Sequence, residues 1–96
     1  MDIVYSVNGV PIRLTAERWY HIVETHDYLA GYYDAVLRTV EQPDVVTQGH
    51  RGSLIAYRGF GKKGYLAVIY KELRSDGFII TAYIATHRKG KKVWPK

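Results

Sequence analysis

LIAYRGFGKKGYLAVIYKELRSDGFIITAYIAT, residues 54–86, is the stretch whose reading decides the fold. It reads as three strands, Leu54–Arg58, Tyr65–Lys71 and Phe78–Thr86, dense in Ile, Val, Ala and Tyr. Branched and aromatic side chains suit a pleated, half-buried surface. Gly59-Phe60-Gly61-Lys62-Lys63-Gly64 and Arg74-Ser75-Asp76-Gly77 separate the strands. Short glycine-rich connections join antiparallel neighbours, so the stretch predicts a meander. In the third strand Thr81 and Tyr83 are two apart and share one face, leaving Ile80, Ala82 and Ile84 for the other. The unbroken Ile79-Ile80-Thr81 run predicts that the face away from any helices is not fully wet. The C-terminal segment or a second subunit is expected to cover it.

Working outward, Ile3–Val7 and Val10–Leu14 flank Asn8-Gly9. Both central positions of a type I′ turn need positive φ, so Asn-Gly between two such runs predicts a hairpin. Pro11 lacks an N–H, which places its arm at an edge. Thr15 then reads as the N-cap of a helix, with Glu17 in the positive first turn and Leu14 spaced for a staple with Trp19. Trp19, Ile22, Val23 and His26 share one helical face. A second helix is expected after Asp27, with Leu29, Tyr33, Val36, Leu37 and Val40 on one face, slightly weakened by Gly31 and ended before Pro43. Val45-Val46 is short and extended, and Gln48–Gly52 is a turn. Downstream, Val93 and Trp94 read as a last strand or a docked end. The fold class is α+β: an N-terminal hairpin and two helices packed on one face of a three- to four-stranded antiparallel sheet.

A chain of 96 residues and 11.0 kDa holds one domain, residues 1–96. It has no cysteine, which excludes disulfides, thiolate–zinc sites and a thiol nucleophile. No apolar run approaches the roughly 20 residues that span a bilayer, and Met1-Asp2-Ile3 lacks a basic signal-peptide start. The expectation is a cytoplasmic protein without membrane association. The net charge is +5, unevenly spread. Residues 1–50 hold three basic residues (Arg13, Arg18, Arg38) and seven acids, whereas residues 51–96 hold eleven basic residues and two acids (Glu72, Asp76). Such asymmetry favours a polyanionic partner. Five of the basic residues (Arg88, Lys89, Lys91, Lys92, Lys96) fall in the tail, residues 86–96; without them nine positives balance nine negatives.

Four histidines are present, but no HxH or HExxH spacing. His21 and His26, five apart, fall on different helix faces, so no metal site is expected. The Gly59–Gly64 loop lacks the P-loop pattern and leads into a strand. Ser6, Ser53 and Ser75 have no nucleophile-elbow context. The remaining His, Arg, Lys, Tyr and Thr are the types that cleave RNA without metal or cofactor. A histidine exchanges protons with the 2′-hydroxyl and the leaving oxygen, and cations stabilise the phosphorane. Candidates are His26, His87, Arg58, Lys71, Tyr83, Arg88 and Lys89.

Several segments carry a resemblance. His26 at a helix end, the Tyr-rich helix 28–41, Pro43-Asp44-Val45-Val46 and Leu54-Ile55-Ala56-Tyr57-Arg58 occur in that order. Val68-Ile69-Tyr70-Lys71 and Gly77-Phe78-Ile79-Ile80-Thr81-Ala82-Tyr83 follow. Over roughly residues 12–94 this resembles the phage-associated, DUF4258-like branch of the barnase–EndoU–colicin–RelE-like nuclease superfamily. The resemblance implies N-terminal helices before a four-stranded antiparallel sheet whose face holds a metal-independent ribonuclease site. It places His26, Arg58, Lys71, Thr81 and Tyr83 at the polar, catalytic positions. That branch commonly reads Arg-His-Pro before the second helix; here the residues are Thr25-His26-Asp27. RNA is the expected partner. Lys62 and Lys63 in the loop and His87, Arg88, Lys89, Lys91 and Lys92 in the tail are its expected phosphate contacts, and a neutralising protein is a further expected partner, as for toxin–antitoxin pairs. Two other readings stay open. One is a non-catalytic RNA- or protein-binding module of the same fold, since exposed aromatics stack bases. The other is a self-associating accessory protein, since nine tyrosines and two tryptophans would suit a dimer interface.

Overall fold

The structure is a computed structural model that describes residues 1–96. Val7, Asn8 and Gly9 turn β1 (Asp2–Tyr5) into β2 (Pro11–Leu14) as an antiparallel hairpin, but not through the expected type I′ turn. Asn8 has no positive φ, the Gly9 N–H donates to the Ser6 carbonyl at 2.9 Å, and only Gly9, at φ 77°, is left-handed, as in a three-residue hairpin loop. Helix α1 (Ala16–Thr25) starts where expected: the Thr15 hydroxyl accepts the Arg18 N–H at 3.1 Å. Leu14 is buried and Trp19 packs against the same core. Helix α2 is shorter than expected. A separate 3-10 turn spans Asp27–Leu29, Ala30 and Gly31 are exposed, and α2 runs only over Tyr33–Glu41. The strands β3 (Val45–Gln48), β4 (Leu54–Gly59), β5 (Tyr65–Glu72), β6 (Gly77–Ala85) and β7 (Lys92–Trp94) complete the chain.

All seven strands form one sheet in the order β1-β2-β6-β5-β4-β3-β7. The expectation of three or four antiparallel strands is therefore too small and not quite antiparallel. The meander recruits the hairpin at one side, where β2 pairs parallel to β6 through Ile12–Gly77 and Arg13–Phe78. It recruits the tail at the other, where β7 pairs antiparallel to β3. The edge is β1, not the Pro11 arm. Pro11 sits at the end of β2, paired only with Tyr5, so its missing N–H costs no ladder bond.

The register sorts the side chains into two faces. Val46, Ala56, Val68 and Ala82 lie side by side across four strands, and all four belong to the main core with Ile22, Leu29, Val36 and Val40 from the helical layer. On the opposite face two rows run across the same strands: Val45, Tyr57, Ala67 and Tyr83, then Thr47, Ile55, Ile69 and Thr81. A bulge in β6 sets these rows. Ile69 pairs with Thr81 but its neighbour Tyr70 pairs with Ile79, so Ile80 is the extra residue. A bulge shifts the side-chain alternation. Ile79 consequently joins the core with Ala82 and Ile84, while Ile80 lies with Ile55, Ile69 and Phe78 on the other face. This corrects the simple alternation expected of Ile80, Ala82 and Ile84.

The face away from the helices is partly covered by the C-terminal segment. Residues 86–91 cross it as a strap before β7 docks on β3. The buried Tyr57 hydroxyl accepts the Lys89 N–H at 3.0 Å, and the Gln48 N–H donates to the Lys91 carbonyl. Gly90, at φ 90°, lies so close that a Cβ would run into the Gln48 carbonyl oxygen.

Candidate nucleic-acid interface

The uncovered part of that face is a trough made of two adjoining basins of about 480 and 430 Å³. Ile55 and Ile69 floor both, and Gly49 and His50 border both. Lys71 and Arg51 rim the first basin; Tyr83 and Lys89 rim the second. Every cation on the rim thus stands beside an apolar floor, and no acidic side chain lines either basin.

Each rim group is placed by local structure. Lys71 extends from β5, where its Nζ donates to the Arg51 carbonyl at 3.1 Å. That carbonyl belongs to a 3-10 turn (His50–Gly52) in which Arg51 and Gly52 both take left-handed backbone, at φ 54° and 80°. A non-glycine residue there costs on the order of 1 kcal/mol. The Ser53 hydroxyl, donating to the His50 carbonyl at 2.7 Å, and Lys71 hold the turn in that shape. Burial pushes the Tyr83 phenol pKa up, and the neighbouring Tyr57 hydroxyl adds to this. At neutral pH Tyr83 is therefore a hydrogen-bond donor and not a base.

The five expected catalytic residues do not gather at one point. Lys71 and Tyr83 both serve the trough, in different basins. Thr81 lies on the same face, opposite Ile69. Lys71 pairs with Phe78 and Tyr83 with Ala67, so the two lie four residues apart along β5, roughly 13 Å. His26 caps α1 at the side of β6. Its Nδ1 meets the Tyr28 hydroxyl at 3.1 Å, its ring lies 6.3 Å from the Tyr83 ring, and it lines neither basin. Arg58 is on the wrong face: it pairs with Leu66, a core residue, and its guanidinium donates to the Gln42 carbonyl at 2.9 Å. Strand alternation explains this, because Arg58 follows Tyr57, which faces the strap.

The expected phosphate contacts also divide. Lys89 rims the trough. His87 lies with it along the strap beside Tyr83. Arg88 stacks on the Tyr65 ring, 5.4 Å from its centroid, and Lys92 starts β7. Lys91 is exposed. Lys62 and Lys63 are exposed in a 3-10 turn at the β4–β5 connection, beyond the trough. His50 and Arg51 are the residues that sequence reasoning missed. Their turn could be read from Gly49 and Gly52, but only the β4–β5 register places it over Ile55 and Ile69. No cluster of three or more His, Cys, Asp or Glu side chains is placed to hold a metal ion. No helix is long and apolar enough to cross a membrane. In comparisons with known proteins, the chain matches no family, no curated protein and no solved structure.

Proposed function

We propose that the trough binds single-stranded RNA. The observation that carries this is the continuous Ile55–Ile69 floor between Lys71 and Arg51 at one end and Tyr83 and Lys89 at the other. Separated cations along an apolar trough suit phosphates of one strand, and Phe78 and Tyr83, which line the two basins, offer rings for its bases. Cations with aromatic stacking are how sequence-tolerant binding to single strands works. The ~13 Å from Lys71 to Tyr83 is longer than one phosphate, so these residues contact different nucleotides of the strand. An α1–α2 layer before the antiparallel meander β3 to β6 is the order that the resemblance to the barnase–EndoU–colicin–RelE-like superfamily implies, but that resemblance implies four strands where this mixed sheet has seven.

Cleavage is the second reading, and His50 favours it. It borders both basins, so it neighbours Lys71 in one and Tyr83 in the other. A histidine there would exchange the 2′-hydroxyl proton while Lys71 or Lys89 faces the phosphate.

One experiment separates the readings. A labelled 12-nucleotide single-stranded RNA is titrated with the protein at several salt concentrations in EDTA, and its ends are then analysed. Binding should weaken steeply with salt. Lys71→Gln and Lys89→Gln should each lower the magnitude of the log–log slope by ~0.7. Intact RNA means a binding module; 2′,3′-cyclic phosphate ends that disappear in His50→Ala but persist in His26→Ala mean a nuclease. Salt-insensitive or undetectable binding would sink the RNA reading.

A further inference from the structure

The sheet ends in two free strands, β1 and β7, and they are guarded differently. Lys92 starts β7, and exposed Lys91, Pro95 and Lys96 flank it. Lysine and proline are the usual devices that keep an edge strand from pairing with another chain. β1, Asp2-Ile3-Val4-Tyr5, has neither.

The hairpin fixes which backbone groups of β1 point outward. The Ser6 N–H donates to the Val10 carbonyl at 2.9 Å. Bonded and non-bonded pairs alternate along an antiparallel ladder, so Val4 bonds inward to Ile12. Ile3, opposite Arg13, and Tyr5, opposite Pro11, then turn their N–H and C=O groups to the free edge. Pro11 fits this phase, because a residue in a non-bonded pair has its nitrogen directed away from β1. Ile3 and Tyr5 also have exposed side chains, 52% and 61% accessible. These lie on the trough's face of the sheet, since Ile3 pairs with Arg13 and Arg13 with Phe78.

This edge is complementary to itself. A second copy laid antiparallel, with Ile3 opposite the partner's Tyr5 and Val4 on the two-fold axis, satisfies all four outward groups. It also forms two aromatic–β-branched cross-strand pairs. Such an interface closes as a dimer. Charge favours this edge over the other. Each chain carries +5, but residues 1–50 hold seven acids against three bases, and the excess lies towards the β7 end. The one charged side chain on β1, Asp2, is engaged on the helix side, where its Oδ2 accepts the Tyr33 hydroxyl at 2.6 Å. Pairing over four residues is small beside the ~1,200 Å² that stable complexes bury, so the association is weak and reversible.

We propose that β1 is a self-association edge, which joins two copies antiparallel through Ile3 and Tyr5 into one continuous sheet with both troughs on the same side. It does not depend on what the trough binds.

The test is sedimentation of the full chain over a concentration series, with amide hydrogen exchange at each end of the series. The mass should rise reversibly from 11.0 kDa towards twice that value. Exchange at Ile3 and Tyr5 should slow as concentration rises, while Val4, already bonded within the hairpin, should not respond. Tyr5→Lys puts a lysine guard on the edge and should weaken association about tenfold or more with the melting temperature unchanged. Ile3→Pro removes an outward N–H and no inward one, so it should weaken association as well. A chain that stays monomeric at the highest concentration would overturn the proposal. So would a dimer that survives Tyr5→Lys, or one that leaves exchange at Ile3 and Tyr5 unaltered. Assemblies that grow beyond a dimer would also overturn it, since they would mean head-to-tail pairing of β1 with β7.

Discussion

Tyr57 shows what a single side chain does for this site. It is fully buried on the face away from the helices, where its ring packs edge-on to Tyr65 at 6.1 Å and its hydroxyl meets the Lys89 N–H. Removing only the hydroxyl leaves a partly buried backbone donor without an acceptor, which costs about 1–2 kcal/mol. Tyr57→Phe is therefore expected to lower unfolding free energy by that amount in urea melts, and to speed hydrogen exchange at Lys89 well beyond that of the β4–β5 ladder. Unchanged exchange at Lys89 would mean that the strap is held by other contacts. Tyr57 was legible as a strand residue, since tyrosine forms strands anyway. Its partner was not, because 32 residues separate the two and no local pattern links them. Arg58 was read on its type, which suits a phosphate, and one step of strand alternation after Tyr57 turns it to the helix side, away from the trough.

Elements were more legible than their pairing. The hairpin at Asn8-Gly9, the Thr15 cap and the three strands of residues 54–86 all rest on local chemistry, and all are present, although the hairpin closes through a three-residue loop with only Gly9 left-handed and not through a type I′ turn. The parallel pairing of β2 with β6 and the β6 bulge depend on long-range fit, and neither was foreseen. Gly77 joins these two features. It pairs with Glu72 on β5 and with Ile12 on β2, and a Cβ there would collide with the Lys71 carbonyl oxygen and come within 2.6 Å of Ile12 Cδ1. Backbone on one side and a fully buried side chain on the other leave no room to yield. Gly77→Ala should cost on the order of 2 kcal/mol or more, seen as a loss of about 10 °C in melting temperature. A variant that melts with the parent would show that β2 is not closely packed on β6. The same substitution at Gly31, where nothing lies within 4 Å, should be tolerated.

At the scale of the whole molecule the basic end does two separate things. As backbone it is a strap and an edge strand: it covers Tyr57 and pairs with β3. As side chains it carries the excess charge, five basic residues over 86–96 on an otherwise balanced body. These roles are separable because the strap is fixed through main-chain groups, the Lys89 N–H and the Lys91 carbonyl, and by docking of Val93 and Trp94 against the core. Replacing Arg88, Lys89, Lys91 and Lys92 with glutamine removes four charges and leaves those contacts in place. Exposed charges contribute little to stability, so this variant should melt within about 2 °C of the parent. Its RNA affinity at low salt should nevertheless fall at least tenfold, with a clearly flatter salt dependence, because each lost phosphate contact releases fewer counterions. Truncation after Ala85 should instead lower both together, since it exposes Tyr57 and strips β3 of its outer partner, β7. A glutamine variant that keeps full affinity would move the source of binding to Lys71 and Arg51, at the other end of the trough.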